Sequence, residues 1–134
     1  MSYLRKSFYV SVYEDGDRSI VMHIDPPIYG HLSGLTVGGY YDKASPVLEE
    51  LNELRKVASG EKEVYAFGTE WCFITAKKDF STIENTFNYY EPFTCPTEEI
   101  LLLMEEWFDF LTTYENGQIP GLSYPPPPRK IKGA

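Results

Sequence analysis

The sequence lacks positive charge over a long stretch. Between Lys78 and Arg129, fifty residues contain no Lys, Arg or His, although they hold nine carboxylates and ten aromatic rings. Charge of one sign projects a negative field that attracts basic partners and repels polyanions. Because phosphate neutralisation needs clustered Lys and Arg, we expect no direct nucleic-acid binding, and anionic membranes are disfavoured on the same ground.

Cysteine and long apolar runs are also scarce. Cys72 and Cys95 are the only cysteines, and neither belongs to a CxxC or a metal-ligand spacing. We therefore expect no disulfide, no metal and no cofactor. The sequence also has no apolar signal core after Met1 and no 18-residue apolar run, which predicts a cytoplasmic protein without a membrane span.

The 134 residues fit one domain, predicted over residues 1–124 and followed by a proline-rich extended tail, residues 125–134. The net charge is −8, but three of the twelve bases lie in the tail. Residues 1–124 hold nine bases against twenty acids, a net charge of −11.

The first predicted element is a β-hairpin. Phe8, Val10 and Val12 alternate with polar or tyrosine positions, and a second alternating run surrounds Ile20 and Met22. A three-residue loop ending at Gly16 would pair Val10 with Ile20 and Phe8 with Met22, which keeps one face apolar.

The middle of the chain predicts one short strand near Leu35–Val37 and then a helix. Ser45 is the expected N-cap, Pro46 the first helical residue and Gly60 the C-terminal stop.

A second hairpin is expected around a type II′ turn at Gly68-Thr69, which pairs Val64 with Phe73 and Ala66 with Trp71. A further strand is expected around Ile83–Tyr89.

The last predicted element is a helix from Glu98 to about Tyr114, capped by Thr97 and ended by Asn116-Gly117. Its apolar stripe includes Trp107 and should be buried, most simply against the sheet. The predicted fold class is α+β, with a mostly antiparallel sheet of about five strands packed by two helices.

No catalytic set emerges from the sequence. Cys72 is expected inside a strand, and only His23 or His31 could serve it as a base. An enzyme that uses the glycine-rich region 29–42, with His31 and Asp42 as its acid–base pair, remains an alternative.

The candidate partner-binding residues are acids and tyrosines on turns, plus an acidic helical face. They are Tyr13, Glu14, Asp15 and Asp17 on the first hairpin, Glu70 at the second turn, Tyr89, Tyr90 and Glu91 before the last helix, and Glu105, Glu106 and Asp109 on that helix.

The acidic make-up, the run Trp107–Leu111 (WFDFL) in the acidic helix and the Gly68–Trp71 run (GTEW) together resemble the immunity proteins of bacterial polymorphic-toxin and contact-dependent-inhibition systems. The resemblance implies a protein that binds its cognate toxin domain, often by masking a basic nuclease site with carboxylates. It covers general make-up and assigns no role to a single residue. The working hypothesis is a non-enzymatic protein that neutralises a basic partner protein, and the main alternative is a small self-associating structural or adaptor domain. Whether the protein is a monomer or a dimer stays open.

Overall fold

The computed structural model describes residues 4–12, 18–25 and 27–117. These residues form two sheets, two α-helices and two 3-10 helices. The elements are β1 (Arg5–Val12), β2 (Arg18–Asp25), 3-10 helices Pro27–Thr36 and Tyr40–Asp42, α1 (Ala44–Ser59), β3 (Tyr65–Gly68), β4 (Phe73–Ala76), β5 (Phe80–Glu84), β6 (Phe93–Pro96) and α2 (Thr97–Glu115). The fold is α+β with antiparallel sheets, as the sequence predicts.

The first hairpin has the expected register. Phe8 pairs with Met22 and Val10 with Ile20 in the antiparallel ribbon β1–β2. Phe8 and Met22 are buried, and the Phe8 ring lies edge-on to Trp107 of α2 with centroids 5.1 Å apart. The apolar face of the ribbon therefore packs on the last helix.

The second sheet is an antiparallel meander in the order β3-β4-β5-β6. Its inner face carries the buried row Phe67, Ile74 and Ile83, continued by the half-buried Phe93. α2 contacts β5 and β6 on this face but packs mainly against α1, a helix partner that the sequence alone did not indicate.

The expected strand near Leu35–Val37 is wrong, because this region forms a 3-10 helix over Pro27–Thr36. Leu32 and Leu35, three residues apart, are both buried, which matches the three-residue turn of this helix. Two hydroxyls add local support: Ser33 donates to the Gly30 carbonyl at 2.7 Å, and Thr36 donates to the Ser33 carbonyl at 2.8 Å.

The expected register of the second hairpin is also wrong. Gly68 pairs with Phe73 and Ala66 with Thr75, so residues 69–72 form a four-residue loop. The Thr69 Oγ1 accepts the backbone N–H groups of Trp71 at 3.2 Å and Cys72 at 3.1 Å. A threonine side chain thus organises the turn that glycine was expected to organise.

The strand expected around Ile83–Tyr89 ends earlier, since β5 covers Phe80–Glu84. Asn85 ends it: its side-chain oxygen accepts the Tyr89 N–H at 2.8 Å, and its amide donates to the Tyr90 carbonyl at 3.0 Å. Asn88 adopts a left-handed φ of 56° in the same loop.

Both helices lie where they were expected, but neither uses the expected cap. α1 starts at Ala44, whose N–H donates to the Glu115 carboxylate at 2.7 Å, rather than after a Ser45 cap. Thr97 is the first residue of α2, and its hydroxyl donates to the Lys77 carbonyl instead of capping the helix. Gly60, at φ 87°, ends α1 as predicted.

Within the described residues, no helix has the length and apolar character needed to cross a membrane. The hairpin loop at residues 13–17 and the tail at 125–134 lie outside the described residues.

Candidate functional site

Two loops meet at one end of the four-stranded sheet. In an antiparallel meander the first and third connections leave the same end, so the β3–β4 loop and the β5–β6 loop are neighbours. The Thr86 N–H donates to the Glu70 carbonyl at 2.9 Å. The Tyr90 hydroxyl donates to the Trp71 carbonyl at 2.7 Å, and the Glu84 carbonyl oxygen lies 3.2 Å from the same hydroxyl. These bonds hold the two loops as one surface.

Three exposed rings form an aromatic patch on this surface: Trp71, Phe87 and Tyr89. Trp71 and Tyr89 are stacked, with centroids 5.0 Å apart and an interplanar angle of 10°, and Phe87 lies 5.1 Å from Trp71. The three residues are 37%, 44% and 65% exposed, whereas Trp107 is fully buried in the core. Clustered exposed rings of this kind mark interaction surfaces more often than they mark ordinary solvated surface.

A shallow groove runs beside the patch. His31, from the 3-10 helix Pro27–Thr36, stacks on Tyr90 with centroids 3.9 Å apart and an interplanar angle of 12°. The groove has a volume of about 250 Å³ and is lined by Gly30, His31, Ser33, Gly34, Val37, Trp71, Tyr89 and Tyr90. Its walls are therefore aromatic and apolar, and none of its lining residues is an acid or a Lys or Arg.

Gly34 lets the 3-10 helix approach the β3–β4 loop. A Cβ at this position would lie 3.1 Å from the Cβ atoms of both Trp71 and Cys72. The Gly34 carbonyl also accepts the Thr69 hydroxyl at 2.9 Å. The groove thus depends on a close backbone approach that a larger residue would hinder.

Acids border the patch, and cations lie at the other end of the sheet. Glu70, Glu84 and Glu91 are exposed in or next to the two loops. The three described segments that form this surface, residues 27–37, 68–73 and 84–93, contain no Lys or Arg. Lys77 and Lys78 occupy the β4–β5 turn, which lies at the opposite end of the meander. The patch is therefore a locally acidic, aromatic surface.

Four of the predicted partner-binding residues come together here. Tyr89 belongs to the patch, Tyr90 lines the groove, and Glu70 and Glu91 are their exposed neighbours. The four predicted residues of the first hairpin, Tyr13, Glu14, Asp15 and Asp17, lie outside the described residues.

The predicted acidic face of α2 is separate from the patch and partly neutralised. Glu105 lies 3.3 Å from the Arg55 guanidinium, and Glu106 lies 2.7 Å from the Lys6 ammonium. Asp109 is exposed. Two bases from the N-terminal half of the chain thus neutralise part of the negative charge of the base-free half.

The sequence analysis missed Trp71 and Phe87, and it considered His31 only as an acid–base group of the enzyme alternative. Trp71 was expected to pair with Ala66 inside a strand, and this wrong register concealed its position in the β3–β4 loop. The available signal was the polar, loop-forming pair Thr69-Glu70 directly before Trp71.

The acid–base pair of the enzyme alternative does not come together at this groove. Asp42 does not line it, although the enzyme alternative required His31 and Asp42 to converge. Burial raises the pKa of the Cys72 thiol to about 12, so Cys72 is a protonated thiol at neutral pH rather than a nucleophilic thiolate. Among the described residues, no group of three or more His, Cys, Asp or Glu side chains is arranged to hold a metal ion.

Comparisons with protein-family models, with curated proteins and with solved structures find no match to this chain.

Proposed function

We propose that this protein is a non-enzymatic binding protein that acts in the cytoplasm and neutralises a basic partner protein. The partner class that fits best is a bacterial toxin, for which this chain would be the immunity protein. The observation that carries the proposal is the aromatic patch with its acidic border and without a Lys or Arg in the segments that form it.

The mechanism would combine long-range attraction with contact at the rings. The net charge of −8 and the local acids Glu70, Glu84 and Glu91 would steer a cationic surface toward the patch. A Lys or Arg side chain of the partner would then lie over the face of Trp71 or Tyr89. Each cation–π contact of this type is worth about 0.5–2 kcal/mol, depending on its desolvation. Exposed Trp and Tyr are also the residue types that dominate binding energy at protein interfaces.

The test is a growth-rescue experiment with the protein encoded directly upstream of this gene. That protein is expressed alone and together with this chain. We expect it to be toxic alone and to be neutralised by the wild-type chain. The double substitution Trp71→Ala with Tyr89→Ala should abolish rescue.

The matched control is Phe80→Ala. Phe80 is 60% exposed and starts β5 at the end of the sheet away from the patch, so it tests loss of an exposed ring as such. Rescue should survive this substitution. A non-toxic upstream product would contradict the immunity role, and rescue by the double variant would contradict the role of the patch.

A second candidate function, self-association, is favoured by the outer face of the four-stranded sheet. Ala66, Thr75, Thr82 and Thr94 form one cross-strand row on this face. Phe73 and Phe80 lie on the same face and are 38% and 60% exposed. A second copy of the chain could cover this charge-poor surface. Sedimentation of the pure protein tests it: a stable dimer that Phe80→Glu dissociates supports self-association, and a monomer at all concentrations contradicts it.

A further inference from the structure

The groove has the chemistry of a site for a proline-rich peptide. Proline-rich segments dock in grooves between aromatic side chains because their extended conformation is already formed and costs little entropy. Here the stacked pair His31–Tyr90 and the stacked pair Trp71–Tyr89 both contribute to one groove of about 250 Å³. The acids Glu70, Glu84 and Glu91 beside it would favour a peptide that also carries positive charge.

The chain itself contains a peptide of this composition outside the described residues. Residues 125–128 are four consecutive prolines, and Arg129, Lys130 and Lys132 follow. Residues 118–134 contain no Asp or Glu, so this stretch has a net charge of +3. It is the one place after Lys78 where the sequence has bases, and the sign of its charge is opposite to that of the patch.

The end of α2 is close enough for this stretch to reach the groove. Glu115, the last residue of α2, accepts the Ala44 N–H at 2.7 Å. Val37 lines the groove and is seven residues before Ala44, a separation of at most about 25 Å for a fully extended chain. Pro125 comes ten positions after Glu115, and a chain of this length can span about 33 Å. The linker is therefore long enough to reach the groove.

We propose that the tail of this chain, residues 125–134, binds in its own aromatic groove, with its prolines against Trp71 and Tyr90 and its bases beside the acids of the patch. Tethering gives the tail an effective concentration on the order of millimolar, so even a weak peptide site would be substantially occupied. The proposal concerns the protein alone and does not require that the partner is a toxin, or that a partner exists.

The two tryptophans give a direct measurement on the whole chain. Trp107 is fully buried, whereas Trp71 is 37% exposed, so a small neutral quencher such as acrylamide acts mainly on Trp71. In the test variant, Arg129→Glu and Lys130→Glu reverse two charges of the tail. In the matched control, Lys77→Glu and Lys78→Glu reverse two exposed charges at the opposite end of the sheet. A third variant, Pro126→Ala with Pro128→Ala, tests the contribution of the prolines.

We expect the test variant and the proline variant to raise the acrylamide quenching of Trp71 by roughly 1.5- to 2-fold. In the wild-type protein the tail would occupy the groove in most molecules, and these substitutions would release it. The control should leave quenching unchanged. The proposal is overturned if neither tail variant changes quenching, or if the control pair has the same effect as the tail pair. It is also overturned if the protection of Trp71 grows with protein concentration, since the tail would then bind a second copy. Failure here leaves the proposed function intact, because no partner is present in the measurement.

Discussion

The Tyr90 hydroxyl donates a hydrogen bond to the Trp71 carbonyl oxygen at 2.7 Å and so fastens the β5–β6 loop to the β3–β4 loop. Burial raises the pKa of this phenol to about 12, with smaller contributions from Cys72 and Glu84. The hydroxyl is therefore a neutral donor at all physiological pH values. The bond helps to shape the patch, because the Trp71 side chain projects from the loop whose backbone the bond holds.

Tyr90→Phe should lower the free energy of unfolding by about 1 kcal/mol, the usual net value of one hydrogen bond. The ring remains, so the stacking on His31 should persist. Urea denaturation measures the change. Tyr89→Phe is the matched control, because Tyr89 is 65% exposed and its hydroxyl loses less on removal. Equal effects of the two substitutions would show that the Tyr90 bond does not fasten the loops.

The sequence predicted those elements whose signals are local and periodic. The register of Phe8 with Met22 followed from strict alternation on both sides of a short loop. The last helix followed from its apolar period and from its Asn116-Gly117 stop, and it was placed within one residue at each end.

The remaining features depend on residues that are far apart in the chain. The β3–β4 loop is set by Thr69, whose hydroxyl reaches the Gly34 carbonyl, 35 residues away. In the same way, the meeting of Trp71 with His31 in one groove requires the tertiary fold. Sequence reasoning could select Tyr89 and Tyr90 as exposed loop aromatics, but it could not show which rings they would contact.

Among Gly68, Gly34 and Gly117, we expect Gly68 to tolerate a larger residue least. Its φ is 133°, and an added Cβ would lie 2.2 Å from the Cys72 carbonyl oxygen. Gly68→Ala should therefore destabilise the protein by several kcal/mol or move the loop. Gly34→Ala, with its nearest contacts at 3.1 Å, should cost about 1–3 kcal/mol through overpacking.

Gly117→Ala is the control for this glycine series. Gly117 has a positive φ of 81° but no atom within 4 Å of an added Cβ, so only the conformational cost of about 1 kcal/mol should appear. Thermal unfolding of the three variants should rank them Gly68, Gly34 and Gly117 in decreasing loss of stability. A Gly117 variant as unstable as the Gly68 variant would contradict the steric explanation.

Glu50 is a buried carboxylate that accepts hydrogen bonds from two phenols. Tyr41 donates to one oxygen at 2.5 Å, and Tyr65 donates to the other. Glu50→Gln leaves one carbonyl oxygen for two donors, so one buried hydroxyl loses its acceptor. We expect the free energy of unfolding to fall by about 1–3 kcal/mol at neutral pH. Glu98→Gln, on the exposed side of α2, should have little effect.

The same three residues predict how stability depends on pH. Burial, and then the hydrogen bond to Glu50, raise the pKa of both Tyr41 and Tyr65 above the ordinary tyrosine value of about 10. Since the folded-state pKa is the higher one, this contribution to stability is complete below about pH 10 and is lost as the pH rises further. Urea denaturation at increasing pH should show this loss. In Glu50→Gln, phenolate absorbance of the folded protein should appear at lower pH, and an unchanged titration would contradict the assignment.

The N-terminus of α1 has two possible caps, the distant residue Glu115 and the local residue Ser45, and substitutions can compare their contributions. Glu115 at the end of α2 accepts the Ala44 N–H at 2.7 Å, and a carboxylate is favoured there by the partial positive charge of the helix N-terminus. Glu115→Gln removes that charge but keeps an acceptor, and Glu115→Ala removes both. We expect losses in the free energy of unfolding of a few tenths of a kcal/mol and about 1 kcal/mol, respectively. Ser45→Ala, the local alternative, should cost less than Glu115→Ala, because Ser45 is exposed and lies inside the helix. If chemical denaturation gave the reverse order, Ser45 would stabilise the start of α1 more than Glu115 does, which would contradict a cap supplied mainly by the end of α2.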